Sequence, residues 1–276
     1  MPASVDSRGD PRRTDLHESW IEAISSVARV VPNGSFQRVG KVAIVRSGLR
    51  LTAFNIVFAL ENAPAHPDLQ ERINRSVGVG GIPWCLVTTT ESAPAYDSVI
   101  RALGLRQLEK MPGMVWEPLP DSAPEVPPEL EIRPTRSVGD AKLFARTMME
   151  GFEVSPDLMD PWVRGVETRG FSKPAGSDYY VGFLEGFPVC TAVRVVSRGI
   201  SGIYGVSTLP RFRRRGLGET ITRFAALCGG SEGCLRSYLQ SSRMGRSVYE
   251  KIGYREVEEY QLWVPERRSP DSRESR

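Results

Sequence analysis

The stretch from Gly202 to Thr222, GIYGVSTLPRFRRRGLGETIT, decides how this chain is read. Its apolar, β-branched run from Ile203 to Thr208 is stopped by Pro210, a basic turn containing Gly216 and Gly218 follows, and a helical pattern begins after it. Strand, tight turn and helix start, in that order, make an anion site. The N–H groups of a first helical turn have no intrahelical partners and carry about half a positive charge. Glycines let a phosphate approach that backbone closely. The wording is neither of the two common phosphate loops, since no Lys-Ser/Thr follows the glycines and the G-x-G-x-x-G spacing is missing. What stands there is R-x-x-G-x-G, over Arg213, Gly216 and Gly218.

Working outward, the composition bounds the function class. At 276 residues, 25% charged and 40% hydrophobic, the chain has ordinary soluble globular composition and room for one large domain or two modest ones. A net charge of +3 speaks against a nucleic-acid binder built on one basic patch. Residues 1–14 lack the apolar core of a signal peptide, and no run approaches the roughly 18 apolar residues of a membrane span. Cys85, Cys190, Cys228 and Cys234 form no C-x-x-C pair and read as buried small hydrophobes in a reduced, cytoplasmic protein. The only histidines, His17 and His66, lie far upstream of the opening stretch, which excludes a histidine triad or multi-histidine metal site there. No metal is expected.

Periodicity and punctuation predict a polar tail over 1–13, a helix over 15–31, strands over 36–45 and 49–60, a helix over 69–79, a strand over 84–88, a helix over 96–103 and a strand over 105–116 broken at Pro112-Gly113. Residues 118–129, with five prolines in twelve residues, read as a semi-rigid linker. Beyond it come a strand over 130–133, helices over 141–149 and 158–166, a hairpin over 179–196, a strand over 200–208, a helix over 216–227, a strand over 235–240, a helix over 244–252 and a strand over 255–264. A charged tail covers 266–276. The helix end Val248 to Arg255 matches Val99 to Arg106 at an offset of 149 residues, and the element order upstream matches too. The predicted organisation is therefore two α/β (α+β) halves, 14–117 and 130–265. In place of the arginine-glycine turn the first half has Asn62 to Pro67, with no glycine and two prolines, and in place of Tyr249 it has Ile100. It is expected to be a degenerate copy.

Three motifs between Leu130 and Val264 resemble those of the GCN5-related N-acetyltransferases: Val206-Ser207-Thr208-Leu209-Pro210, the Arg213 to Gly218 turn, and the helix from Ser242 to Tyr254, which is similar to the family pattern N-x-x-A-x-x-x-Y-x-K-x-G-F with Ser242, Gly245 and Tyr254 as departures. The resemblance implies two halves of that fold in tandem, each a mixed, mostly antiparallel sheet flanked by helices. It also implies acetyl-CoA as co-substrate. Val206, Ser207 and Thr208 would pair with the pantetheine amides by strand addition. Arg213, Arg214, Arg215, Gly216, Leu217, Gly218 and Glu219 would cradle the pyrophosphate, and Ser242 would touch the cofactor. Tyr249 would act as general acid toward the leaving thiolate, a phenol being a competent donor at neutral pH. Alone, a helical tyrosine reads as a packing aromatic; its place in the motif favours the acid.

The base is not evident: β-strand 200–208 has no carboxylate, Tyr204 reads as a strand aromatic, and Glu150, Glu153, Asp178 and Glu219 are the nearest acids. The loop 151–170 falls where an acceptor pocket is built in such enzymes, with Phe152, Met159, Trp162 and Tyr180 as lining candidates. The leading reading is an acyl-CoA-dependent N-acyltransferase acting on a small-molecule or peptide primary amine by direct attack. The alternative is an acyl-CoA-binding sensor with vestigial activity. No nucleic-acid or membrane partner is expected, and self-association into a homodimer is left open.

Overall fold

The computed structural model describes residues 11–120, 122–170 and 176–266. The first segment runs α1 (Pro11–Val30), β1 (Ser35–Val39), β2 (Val42–Arg46), β3 (Asn55–Ala59), α2 (Leu69–Ser76), β4 (Cys85–Thr89), α3 (Asp97–Ala102) and β5 (Leu105–Trp116). The second runs β6 (Leu130–Pro134), α4 (Val138–Gly151), α5 (Asp160–Arg169), β7 (Ser177–Leu184), β8 (Phe187–Ser197), β9 (Ile200–Thr208), α6 (Leu217–Gly230), β10 (Arg236–Gln240), α7 (Arg246–Ile252) and β11 (Arg255–Pro265). Helix α1 starts inside the expected tail, with Pro11 at its first position, where a missing N–H costs nothing. The tails 1–10 and 267–276 lie outside the described residues.

Two strand expectations need correction. The run 36–45 is a hairpin, because Gly40 takes a left-handed φ of 60° and turns β1 into β2. The run 49–60 becomes a strand only at Asn55, whose buried amide donates to the carbonyls of Leu49, Leu51 and Pro83 and accepts from the N–H groups of Ser47 and Gly48. These bonds hold the preceding residues in a turn. At Pro112-Gly113, by contrast, β5 runs on unbroken; the irregularity sits opposite, between Glu256 and Glu258 of β11.

The fold class holds: a mixed, mostly antiparallel sheet flanked by helices. The two halves, however, share one continuous sheet in the order β1-β2-β3-β4-β11-β5-β10-β9-β8-β7-β6. Each segment's last strand crosses into the other's territory. Strand β11 pairs with β4 of the first segment, and β5 pairs with β10 of the second. Between them β11 and β5 pair antiparallel about a pseudo-twofold axis at Tyr260 and Met111, which are partners and also lie 149 residues apart. Tryptophans travel with the strands. Trp116 joins the second half's core, and Trp263 donates through Nε1 to Thr88 Oγ1 of the first at 3.0 Å.

Strand alternation assigns the faces. Ala43 and Val45 pack under α1, whereas Val42 and Ile44 pack under α2 and α3. Tyr179, Val181 and Phe183 face α4 and α5, whereas Leu184 and Tyr180 face α6. Helices α1, α4 and α5 therefore cover one face, and α2, α3, α6 and α7 the other. Among the described residues no helix is long and apolar enough to cross a membrane, and no cluster of metal-ligating side chains exists.

Helix α1 is pinned over the axis by charge. Arg13 pairs with Glu91 and Glu258, and His17 Nε2 lies 3.4 Å from the Glu258 carboxylate. Burial pushes the Glu258 carboxyl up, but hydrogen bonds and charge from His17 and Arg13 more than reverse this and hold it below the usual carboxylate range. A carboxyl lowered on folding contributes stability that is present above its unfolded pKa, about 4.3, and is lost as pH falls through the folded value. Arg13→Met is expected to raise the acid-unfolding midpoint measured by near-UV circular dichroism. An unmoved midpoint would show that this pair does not stabilise the fold.

Candidate active site

The site begins where β9 leaves its neighbour. Strands β9 and β10 pair in parallel only over Ile200–Gly202 and Arg236–Tyr238. The corresponding pair in the first half, β3 and β4, stays zipped from Ile56 to Ala59. Beyond Gly202 the β10-facing edge of β9 has no ladder partner among the described residues. The cause is local: Gly205 takes a φ of 56° and makes a bulge against β8, between the pairs Thr191–Ser207 and Val193–Tyr204. Thr191 Oγ1 secures it by donating to the Gly205 carbonyl at 2.9 Å. A bulge bends its strand and re-aims its edge.

At the end of this edge the chain makes the arginine-glycine turn. Arg214 and Gly216 both take left-handed backbone angles, with φ of 62° and 77°, and Gly216 caps α6. The first intrahelical bond is Thr220 N–H to the Gly216 carbonyl at 2.9 Å. The amides of Leu217, Gly218 and Glu219 therefore point out of the helix start without intrahelical partners. A Cβ on Gly216 would meet no atom within 4 Å, so the space in front of the turn is open. The glycine is needed for its backbone angle.

The side chains of the turn do different things from its backbone. Arg213 turns inward: its guanidinium donates to the Gly151 carbonyl at 2.9 Å and the Thr208 carbonyl at 3.3 Å, and lies 2.8 Å from the Glu153 carboxylate. It ties the end of α4 to the end of β9. Arg211 and Arg215 lie over the ring of Phe212, at 5.0 and 5.7 Å from its centroid. Arg214 is exposed. Glu219 lies 3.6 Å from Arg223 one turn on. The Ser207 hydroxyl is buried against Thr191 Oγ1 at 2.8 Å, leaving its backbone for any ligand, while Thr208 and Val206 are half-buried on the free edge.

Tyr249 sits on α7, whose start is shaped by Ser242 and Gly245. Ser242 Oγ accepts from the Gly245 N–H at 3.2 Å, so this hydroxyl oxygen caps the turn before α7. A Cβ at Gly245 would lie 2.9 Å from the Tyr249 ring; the glycine leaves room for the ring to fold back one turn. Val206, Phe212 and Tyr249 pack against the same core cluster, which places the edge of β9, the turn and the phenol on the α6 face of the sheet. Burial pushes the Tyr249 hydroxyl up to about 12.

Behind Tyr249 stands a support that local sequence reasoning does not find. Its ring meets Tyr254 edge-on at 6.0 Å, and Tyr254 Oη is 2.6 Å from Ser237 Oγ, which donates to the Ser201 carbonyl at 2.7 Å. Trp116, from the first segment, packs on Tyr254 at 5.9 Å. Trp116 has no signal of its own because it arrives by strand exchange. The acids weighed as bases are all engaged: Glu150 with Arg146, Glu153 with Arg213, Asp178 with Arg194 and Glu219 with Arg223. The expected acceptor lining is divided. Met159 and Trp162 are buried against Phe144 and Tyr179, Tyr180 faces the opposite side against Phe224 at 5.3 Å, and Phe152 is exposed.

A mixed sheet that opens at a bulged strand and delivers that strand into a glycine turn at a helix N-terminus is the GCN5-related N-acetyltransferase fold, present here in tandem. Residues 180–264 match the family model described as FR47-like protein. No curated protein matches the chain. Among solved structures it is similar to a GCN5-related N-acetyltransferase from Kribbella flavida, at 18% identity and a TM-score of 0.64 over 91% of this chain and 95% of that one. A GCN5-related N-acetyltransferase from Sphaerobacter thermophilus matches at 16% identity and a TM-score of 0.56, over 83% and 81% of the two chains. A tandem GNAT protein from the clavulanic acid biosynthesis pathway matches at 13% identity and a TM-score of 0.52, over 94% and 97%.

Proposed function

We propose that the chain is an N-acyltransferase with one working site, in its second half, which moves an acyl group from an acyl-CoA such as acetyl-CoA to a primary amine on a small molecule or peptide. The observation that carries this reading is the unpaired edge of β9 running into the open turn at Gly216, with Tyr249 in the same layer. The first half has no such opening and has Ile100 where the phenol would stand. The residues fit the co-substrate: the edge of Val206 to Thr208 offers backbone donors and acceptors to amides of an extended arm, and the amides of Leu217, Gly218 and Glu219 offer donors to phosphates. A bound thioester supplies an activated acyl carbonyl and a thiolate leaving group. Direct attack by the amine needs no nucleophile from the protein. Tyr249 remains protonated at neutral pH and donates a hydrogen bond, then its proton, toward the sulfur. The inward ties of Arg213 and the packing of Arg211 and Arg215 on Phe212 speak against a nucleic-acid surface at the turn.

A ligand at a hundredfold excess over its Kd stabilises the folded state by about 2.7 kcal/mol. For a chain of this size that is a rise in Tm of about 5 to 10 °C. Acetyl-CoA is expected to produce it, and Gly216→Glu to abolish it. The substitution forces a side chain into a left-handed backbone, costing about 1–2 kcal/mol, and puts a carboxylate where the phosphates would lie. No shift in the wild-type protein at millimolar acetyl-CoA sinks the proposal.

A further inference from the structure

On the α1 face, directly behind Tyr204 and the Gly205 bulge, lies an apolar cavity of about 50 Å³. Its walls are Ile24 and Val27 of α1, Met148 of α4, Trp162 of α5, and Tyr204 and Gly205 of β9. Protein interiors are close-packed, and voids larger than a water molecule are few. This one sits against the strand whose opposite edge is free. One polar atom at its wall, Trp162 Nε1, is buried without a hydrogen-bond partner, whereas the Tyr204 ring folds back over Gly202 with its hydroxyl beside Ser19. Apolar walls with one or two waiting polar groups are the composition of ligand pockets rather than of plain core.

Resting on the acyltransferase reading, we propose that this cavity receives the tail of an acyl group longer than acetyl. An acyl carbonyl held at the bulge of β9 has its chain beside Gly205. There the strand presents no side chain, and a Cβ would come within 3.0 Å of Met148 Sδ and 3.1 Å of Val193. One water-sized probe sphere fills roughly 10–15 Å³, so the cavity holds about three or four non-hydrogen atoms. The ligand class is a short-chain acyl-CoA, two to four carbons longer than acetyl. The inference also gives the first half a part in specificity, because α1 forms one wall.

The test is calorimetric titration of the full chain with acetyl-, butyryl- and hexanoyl-CoA. Each methylene taken out of water multiplies affinity by about fourfold, so butyryl-CoA is expected to bind more than tenfold tighter than acetyl-CoA. Ala23, which also lines the cavity, is buried on α1, and Ala23→Leu fills the space from that side. That variant should bring the butyryl-to-acetyl ratio to about one. Met148→Ala enlarges the space and should move the preference toward hexanoyl-CoA. Acetyl-CoA bound as tightly as butyryl-CoA by the wild type, or a ratio unmoved in both variants, overturns this inference and leaves the acyltransferase reading intact. Failure of all three thioesters to bind overturns both.

Discussion

Tyr249→Phe is expected to lower the turnover of acyl transfer by 10² to 10⁴, the usual range for a lost proton donor, while the affinity for acyl-CoA stays within a factor of two. The ring keeps its place over Gly245 and against Tyr254, so only the hydroxyl is removed. Burial acts in two directions here. A hydroxyl pushed up to about 12 is fully proton-loaded at any pH the enzyme meets. It is also a weaker acid than a free phenol, so its hydrogen bond to the sulfur comes first and its proton moves only once charge has grown there. The rate–pH profile follows. Activity should rise toward alkaline pH as the acceptor ammonium, with pKa about 10.4 if lysine-like, loses its proton. No fall assigned to Tyr249 should appear below about pH 11. Stopped-flow detection of free CoA thiol, in the wild type and Tyr249→Phe, reads both quantities. Equal turnover in the two proteins removes Tyr249 from the mechanism, and tight acyl-CoA binding with no turnover on any amine points to a sensor instead.

The second large effect concerns the chain cut in its proline-rich linker. Residues 130–276 made alone are expected to give no monomeric folded domain. The fragment would lack β5, leaving β10 with an open edge, and β11 would lose its partners on both sides, β4 and β5. Trp116, Met114 and Val115 would be gone from buried positions. A single Trp→Ala core truncation costs about 3–5 kcal/mol, against a total stability of about 5–15 kcal/mol. Co-expression with residues 1–129 should restore a one-to-one complex with the wild-type response to acetyl-CoA. A 130–276 fragment that is monomeric, melts cooperatively and binds acyl-CoA would contradict the exchanged sheet.

How much of this was legible in the sequence depended on how local the cause is. The turn at Gly216 is written in consecutive residues, because a left-handed cap needs glycine where it occurs. Gly253 and Gly104, at φ of 120° and 58°, end their helices for the same local reason, and their matched positions revealed the repeat. The hairpin at Gly40 was equally local, but its two-residue turn, Gly40-Lys41, has valines directly on either side and was absorbed into one strand. Tyr180 was misplaced because strand parity decides its face, and parity is set by which core each neighbour enters. The splay of β9 and the exchange of β5 with β11 are relations between distant strands. Pairing partners leave no trace in periodicity, so Trp116 had no signal. Of the carboxylates near the site, Glu150 and Glu219 pair with arginines one helical turn away, a spacing the sequence shows, whereas Asp178 and Glu153 meet Arg194 and Arg213 only in three dimensions.

The exchanged strands also bear on synthesis. Strand β4 is complete at Thr89, but its neighbour β11 ends at Pro265, at the far end of the described chain. At about 5–20 residues per second a ribosome needs about nine to thirty-five seconds to deliver that partner. Until then the first half carries a buried-type strand edge, Cys85–Thr89, exposed to whatever the nascent chain meets. Domain-by-domain folding in order of emergence is closed to this protein. Its first half waits for its last strand, and holding factors that shield nascent β-edges are the part of the cell on which its yield should depend most.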